Sequence, residues 1–176
     1  MTHTPKNRET LVNPVSGDRV TFLETATETG GAYLRMHHVV QQGAKPPYHW
    51  HPVLEETFTV IRGRFEFTLE GKKRLLGSSE TVTIKPRMRH SFQALEPGSE
   101  LEHVVRPAGL HQQMFEATFR LAREGKLTPK GMPRSLTDAA VLWELMEGYV
   151  VGVPTWLQRW VLGGIARWAR QKSRLR

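Results

Sequence analysis

Apolar and polar residues alternate in short bursts through roughly the first hundred positions and recur with a helical period after that. The bursts RVTFLETA (19–26), AYLRMHHVV (32–40), ETFTVIR (56–62), RFEFTLE (64–70), KRLL (73–76), ETVTI (80–84), HSFQAL (90–95) and ELEHVVR (100–106) are rich in β-branched and aromatic residues. Turn residues separate them at Gly30-Gly31, Gly43 to Pro47, Gly63, Gly71, Gly77, Lys85-Pro86 and Pro97-Gly98. Short strands with no helix between them predict an all-β core, an antiparallel sandwich or small barrel.

Beyond Pro107 the pattern becomes helical. Leu110, Met114, Phe115, Thr118 and Leu121 share one face of a helix over 110–125, and Gly125 stops it. Ser135 caps a second helix over 136–149, and Pro154 opens a third that runs toward Arg170. The expected organisation is a flexible N-terminal segment (1–10), a β-barrel (11–107) and a helical extension (108–176) within the same domain.

The chain has 25 Lys and Arg against 17 Asp and Glu. Nineteen of the basic residues and all of the acids lie in residues 1–147, so the body is close to neutral. The other six, Arg159, Arg167, Arg170, Lys172, Arg174 and Arg176, lie in the last eighteen positions. A charge excess confined to a tail argues against a nucleic-acid-binding fold. The absence of cysteine excludes disulfides, thiolate nucleophiles and sulfur-ligated metals, so a bound metal must take nitrogen and oxygen donors. The polar start, MTHTPKNRETLVNP, lacks the apolar run of a secretory signal, and a cytoplasmic protein is expected.

Candidate chemistry concentrates in GAKPPYHWHPVLEETFTVIRG (43–63). His49 and His51, two apart on an extended strand, face the same way. Glu56 shares a face with Phe58 and Val60, where a carboxylate is costly to bury without a cation, while Glu55 points to the opposite side. The spacing Gly43, five residues, His49, one residue, His51, four residues, Glu56, six residues, Gly63 resembles the first signature of the cupin superfamily at every fixed position. SSETVTIKPRMRHSFQA resembles the second: Pro86 and His90 match and Glu80 takes the acidic position, whereas Ser79, Lys85, Arg87 and Ala94 depart from it. The resemblance covers about residues 11–106 and implies a double-stranded β-helix, the jelly-roll barrel. It also implies a metal held by His49, His51, Glu56 and His90. Fe, Mn, Ni, Cu, Co and Zn all accept three imidazoles and a carboxylate.

Strand parity places His38 with Leu34, Met36 and Val40, and His103 with Leu101 and Val105, so both are expected to face the barrel interior. His111 begins the first helix and is expected to be solvated. With Phe58, Val60 and Phe92, His38 and His103 either line a ligand cavity or fill a small core. Arg35, Arg62 and Arg64 are candidates for the cavity mouth. No serine triad, phosphate loop or His-Glu-x-x-His stretch is present, so activity must run through the metal. The expected function is a metal-dependent oxygenase or related oxidoreductase on a small organic molecule, aromatic or polyketide-like, with Glu56 as a candidate base. The alternatives are a redox-neutral isomerase or cyclase and a non-catalytic binding module. Because cupin sheets commonly pair, a homodimer is expected.

PTWLQRWVLGGIARWARQKSRLR places Trp160, Leu157, Gly164, Trp168, Val161 and Ile165 on one arc of a helical wheel and Arg159, Arg167 and Arg170 on the other side. Docking of this arc on the protein's own sheet or on a second subunit is the preferred reading, and peripheral membrane contact is the alternative.

Overall fold

The computed structural model describes residues 8–43 and 45–174, with side chains to residue 168. Residues 1–7 of the expected flexible segment lie outside the described residues, as do the side chains of Arg170, Lys172, Arg174 and Arg176. Ten strands come first: β1 (Thr10–Val12), β2 (Arg19–Glu24), β3 (Leu34–Val40), β4 (His49–Trp50), β5 (Glu55–Arg62), β6 (Phe65–Leu69), β7 (Lys72–Leu76), β8 (Thr81–Ile84), β9 (His90–Ala94) and β10 (Ser99–Arg106). Helices α1 (His111–Arg123) and α2 (Leu136–Met146) follow, then a strand β11 (Tyr149–Val150) and helix α3 (Thr155–Arg174).

The strands form two antiparallel sheets, ordered β1-β2-β3-β10-β5-β8 and β11-β4-β9-β6-β7. Period-2 patterning drives this arrangement. Along β3, Leu34, Met36, His38 and Val40 are buried while Arg35, His37 and Val39 are partly exposed. Along β5, Glu56, Phe58 and Val60 are buried. One core cluster gathers Phe58, Val60, Phe65, Phe67, Val82, Ile84 and Leu101. A second, around Phe22, Leu34, Met36, Leu54 and Val105, includes Phe119 of α1.

The turns carry the register. Gly63 has φ +82°, and a Cβ there would fall within 2.3 Å of Ser99 Oγ, so the β5–β6 turn requires glycine. Ser79 and Arg87, which stand where the resembled signature has glycines, keep left-handed backbone at φ +69° and +70°. Arg87 N–H donates to the carbonyl of His51 at 2.7 Å, which ties the turn before His90 to the first histidine motif.

The extension is not wholly helical. The expected second helix ends at Met146, Glu147 takes φ +51°, and Tyr149–Val150 pairs with Trp50 and His49 as a fifth strand of the smaller sheet. Ser135 caps α2 as expected, its side chain accepting from Thr137 and Asp138 N–H. Among the described side chains of α3, Gln158 and Ala166 are the buried ones. The Gln158 amide is fully used: Oε1 accepts from Val150 N–H and Trp143 Nε1, and Nε2 donates to the Val150 and Val153 carbonyls. With this anchor inward, Trp160, Val161 and Trp168 of the expected arc are exposed, while its Leu157, Gly164 and Ile165 are half-buried.

Candidate metal centre

Neighbouring strands of the small sheet and the facing strand of the large one bring four buried side chains together. His49 on β4 lies opposite His90 on β9 in register, and His51 follows two residues on. Glu56 reaches them from β5. One donor atom from each of His49, His51, Glu56 and His90 lies within 4.8 Å of the others.

The imidazoles are fixed from behind. His49 Nδ1 lies 2.7 Å from the Pro47 carbonyl, His51 Nδ1 3.3 Å from that of Glu147, and His90 Nδ1 3.0 Å from that of Met88. A carbonyl only accepts, so each Nδ1 carries the proton and each Nε2 is left as a lone-pair donor aimed at the centre. His51 Nε2 and Glu56 Oε2 are buried with no hydrogen-bond partner. Such orphaned atoms are expensive unless something binds them, and a divalent cation fits these donors.

The two carboxylate oxygens of Glu56 have different surroundings. Oε2 faces the centre, 2.9 Å from His90 Nε2 and 3.4 Å from His51 Nε2. The His90 approach is close but outside hydrogen-bond geometry, since Oε2 has no such partner. Oε1 is hydrogen-bonded to His103 Nε2 at 3.0 Å and lies 3.6 Å from His111 Nε2. His103 in turn stacks on Phe58, with centroids 4.1 Å apart, and lies 5.4 Å from the ring of His38.

Protonation follows from this packing. Burial pushes the Glu56 carboxyl up, but His103, then His111 and His90, outweigh it and hold the group well below the usual carboxylate range. Burial pulls His49 down to about 3, with His90 adding to the effect. It pulls His51 down to about 4 against the opposing pull of Glu56. His90 differs, because its contact with Glu56 outweighs burial and raises it. His103 and His38 are lowered, chiefly by burial.

Of the residues read from sequence, His38 and His103 do face inward, at 6% and 3% exposure. Phe58 and Val60 are each 1% exposed and belong to the packed core, while Phe92 is only partly buried. A cleft of about 350 Å³ lies outside the barrel, behind Gly148 and between Trp143, Tyr149, Arg159 and Arg167.

Two expectations are corrected. His111 is buried, not solvated: it lies one helical turn before Met114 and Phe115, so the period that marks the α1 face already includes it. Arg35, Arg62 and Arg64 do not reach a mouth; they pair outside the barrel with Glu24 and Glu102, with Glu100, and with Glu96. Glu147 was not anticipated. Its carbonyl holds His51 and its Oε2 accepts from Leu110 N–H at 2.6 Å, just ahead of His111. No local motif announces that role.

The sequence profile of the family described as Cupin domain matches residues 36–105, a span that contains all four candidate ligands. Residues 36–105 are a cupin domain by this match. Solved cupins of similar fold include an RmlC-like cupin from Shewanella frigidimarina, 17% identical with a TM-score of 0.51, covering 61% of this chain and 93% of that one. A sugar phosphate isomerase from a cupin superfamily of Silicibacter pomeroyi is 13% identical with a TM-score of 0.51, covering 62% and 77%. KdgF from Halomonas sp. is 24% identical with a TM-score of 0.47, covering 52% and 79%. A search of curated proteins returned no match. The match ends within β10, so α1 to α3 and β11, including Glu147 and His111, lie outside the matched span.

Proposed function

We propose that this cupin holds one divalent transition ion on His49, His51, Glu56 and His90 and uses it to oxidise a small, largely apolar organic molecule, aromatic or polyketide-like. The observation that carries this reading is the anchoring of all three Nδ1 atoms to backbone carbonyls, which leaves three Nε2 lone pairs and the unpartnered Glu56 Oε2 converging on one point. Fe, Mn, Ni, Cu, Co or Zn suits the donor set, and the ion when bound supplies Lewis acidity and, for a redox-active ion, electron transfer with O₂.

The chain's own residues supply orientation and shielding. His103 holds Glu56 Oε1, and the Phe58 ring stacked on His103 keeps water from that hydrogen bond. The inward faces of the strands carry Phe, Leu, Val, Ile, Met and His and no Lys or Arg among the described residues. That lining disfavours a phosphorylated substrate, which would need basic partners. Glu56 is also the candidate base, and a Glu56→Gln variant that retained metal and full turnover would rule this out.

The test is elemental analysis of the purified protein followed by oxygen-electrode assays of each metal-loaded form against a panel of phenols and enolisable ketones. Substrate-dependent O₂ uptake by Fe-, Mn-, Ni- or Cu-loaded protein, absent with Zn, is the expected result. Turnover without O₂ uptake, equal with Zn, would replace the oxidative reading by an isomerase or cyclase. A tightly retained ligand with no turnover would make the domain a binding module.

A further inference from the structure

Three tryptophans of α3 are exposed, whereas Leu157, Gly164 and Ile165 of the expected apolar arc are half-buried. Trp156 and Trp160 are 67% and 75% exposed, Trp168 is 55% exposed and Val161 38%. The helix is held from its opposite side by Gln158 and Ala166, so the indoles are not awaiting burial against the rest of this chain. Three large exposed indoles on one helix are costly in water without a function.

Charge selects the occupant. From residue 155 onward the chain carries six Lys and Arg and no Asp or Glu. Arg159 and Arg167 border the outer cleft, where Glu144 and Glu147 also lie. Arg170, Lys172, Arg174 and Arg176 follow in sequence with no acid among them. A second copy docked through this helix about a two-fold axis would bring together two segments that each carry six cations and no acid. A duplex would use the cations but leave the indoles unburied, because a single convex helix face offers no base-stacking groove. An anionic bilayer satisfies both features: indoles settle at the headgroup level and the cations meet lipid phosphates and carboxylates. No helix among the described residues is long and apolar enough to cross a membrane, so α3 would lie in the interface plane. Its 20 residues would span about 30 Å of surface.

We propose that α3 is an interfacial anchor that docks the cupin barrel on anionic lipid surfaces through Trp156, Trp160 and Trp168. The probe is co-sedimentation of the full chain with vesicles of phosphatidylcholine alone or with added phosphatidylserine. Binding should require the anionic lipid and blue-shift the tryptophan emission. It should weaken as salt rises, and fall about fivefold for each of Arg159→Gln and Arg167→Gln. Trp156→Ala with Trp160→Ala should lower partitioning more than about tenfold, with an unchanged melting temperature because both side chains are exposed.

Equal partitioning of the double variant, or no partitioning onto phosphatidylserine vesicles at low salt, would overturn the proposal. So would self-association in the ultracentrifuge that the double variant abolishes, which would assign the face to a second copy. Tighter binding to duplex DNA than to anionic vesicles, lost in the same variant, would also overturn it.

Discussion

Gly148, with Glu147 and His111, is one of the points at which the C-terminal extension touches the candidate metal centre. An added Cβ would lie 2.9 Å from His51 Nδ1, 2.9 Å from the Trp50 carbonyl and 3.1 Å from His51 Cε1. The nearest obstacles are a backbone oxygen and a packed ring, so the methyl must displace the β11 backbone or the imidazole by several tenths of an ångström. The His51–Glu147 hydrogen bond is already long at 3.3 Å and would be lost. Losing such an outer partner of a metal-ligating histidine costs about 10- to 100-fold in metal affinity, about 1.4 to 2.7 kcal/mol. Chelator competition on Gly148→Ala and wild type reads this directly. Gly164→Ala is the control, because a Cβ there meets nothing within 4 Å and alanine favours a helix by up to ~1 kcal/mol. A Gly148→Ala protein that folds and binds metal like wild type would show that β11 does not position His51.

Glu55→Ala should spare metal content while Glu56→Gln and His90→Ala lose it, checked by elemental analysis; the reverse pattern would overturn the strand register. His103→Leu leaves Glu56 Oε1 without its hydrogen bond in a buried site and should destabilise the metal-free protein by about 1.5 to 3 kcal/mol in urea titrations. Gln158→Leu removes four hydrogen bonds that join α2, β11 and α3 and should cost about 2 to 4 kcal/mol, weakening metal binding indirectly through β11. The pH dependence has a definite sign. His49 and His51 are held near 3 and 4, below an ordinary imidazole. The stability of their neutral forms is therefore complete above about 6.5 and lost as pH falls toward 4 and 3. Each should cost the metal-free protein about 2 kcal/mol between pH 7.5 and 5. His38 and His103 add in the same direction and His90, shifted oppositely, offsets part. Unchanged or greater stability at pH 5 would refute the assigned environments.

Strand parity and motif spacing carried most of the barrel. Glu56, Phe58 and Val60 share a buried face because side chains alternate, and the four candidate ligands were legible from the spacing of His49, His51, Glu56 and His90 once the resemblance was recognised. His111 was within reach of the same reasoning. It sits on the buried face of α1, but its place at the helix start led to the expectation of solvent. Tyr149–Val150 was not within reach: two residues after a helix have too little pattern to announce a strand, and their partner, β4, is a hundred residues earlier in the chain.

Local chemistry, carried in the order of residues, thus determined which side chains can ligate a metal and which strand faces turn inward, because both follow from periods of two and from donor type. The carbonyls behind His49 and His90 are local, two residues back, but tertiary structure decided what stands behind His51 and Glu56. The Glu147 carbonyl on His51 and the His103 bond to Glu56 join residues 96 and 47 positions apart, and the Gln158 anchor that turns the α3 tryptophans outward joins three separate elements, α2, β11 and α3. Only the packed chain brings such pairs within hydrogen-bonding distance, and a hydrogen bond loses most of its energy within an ångström of stretch.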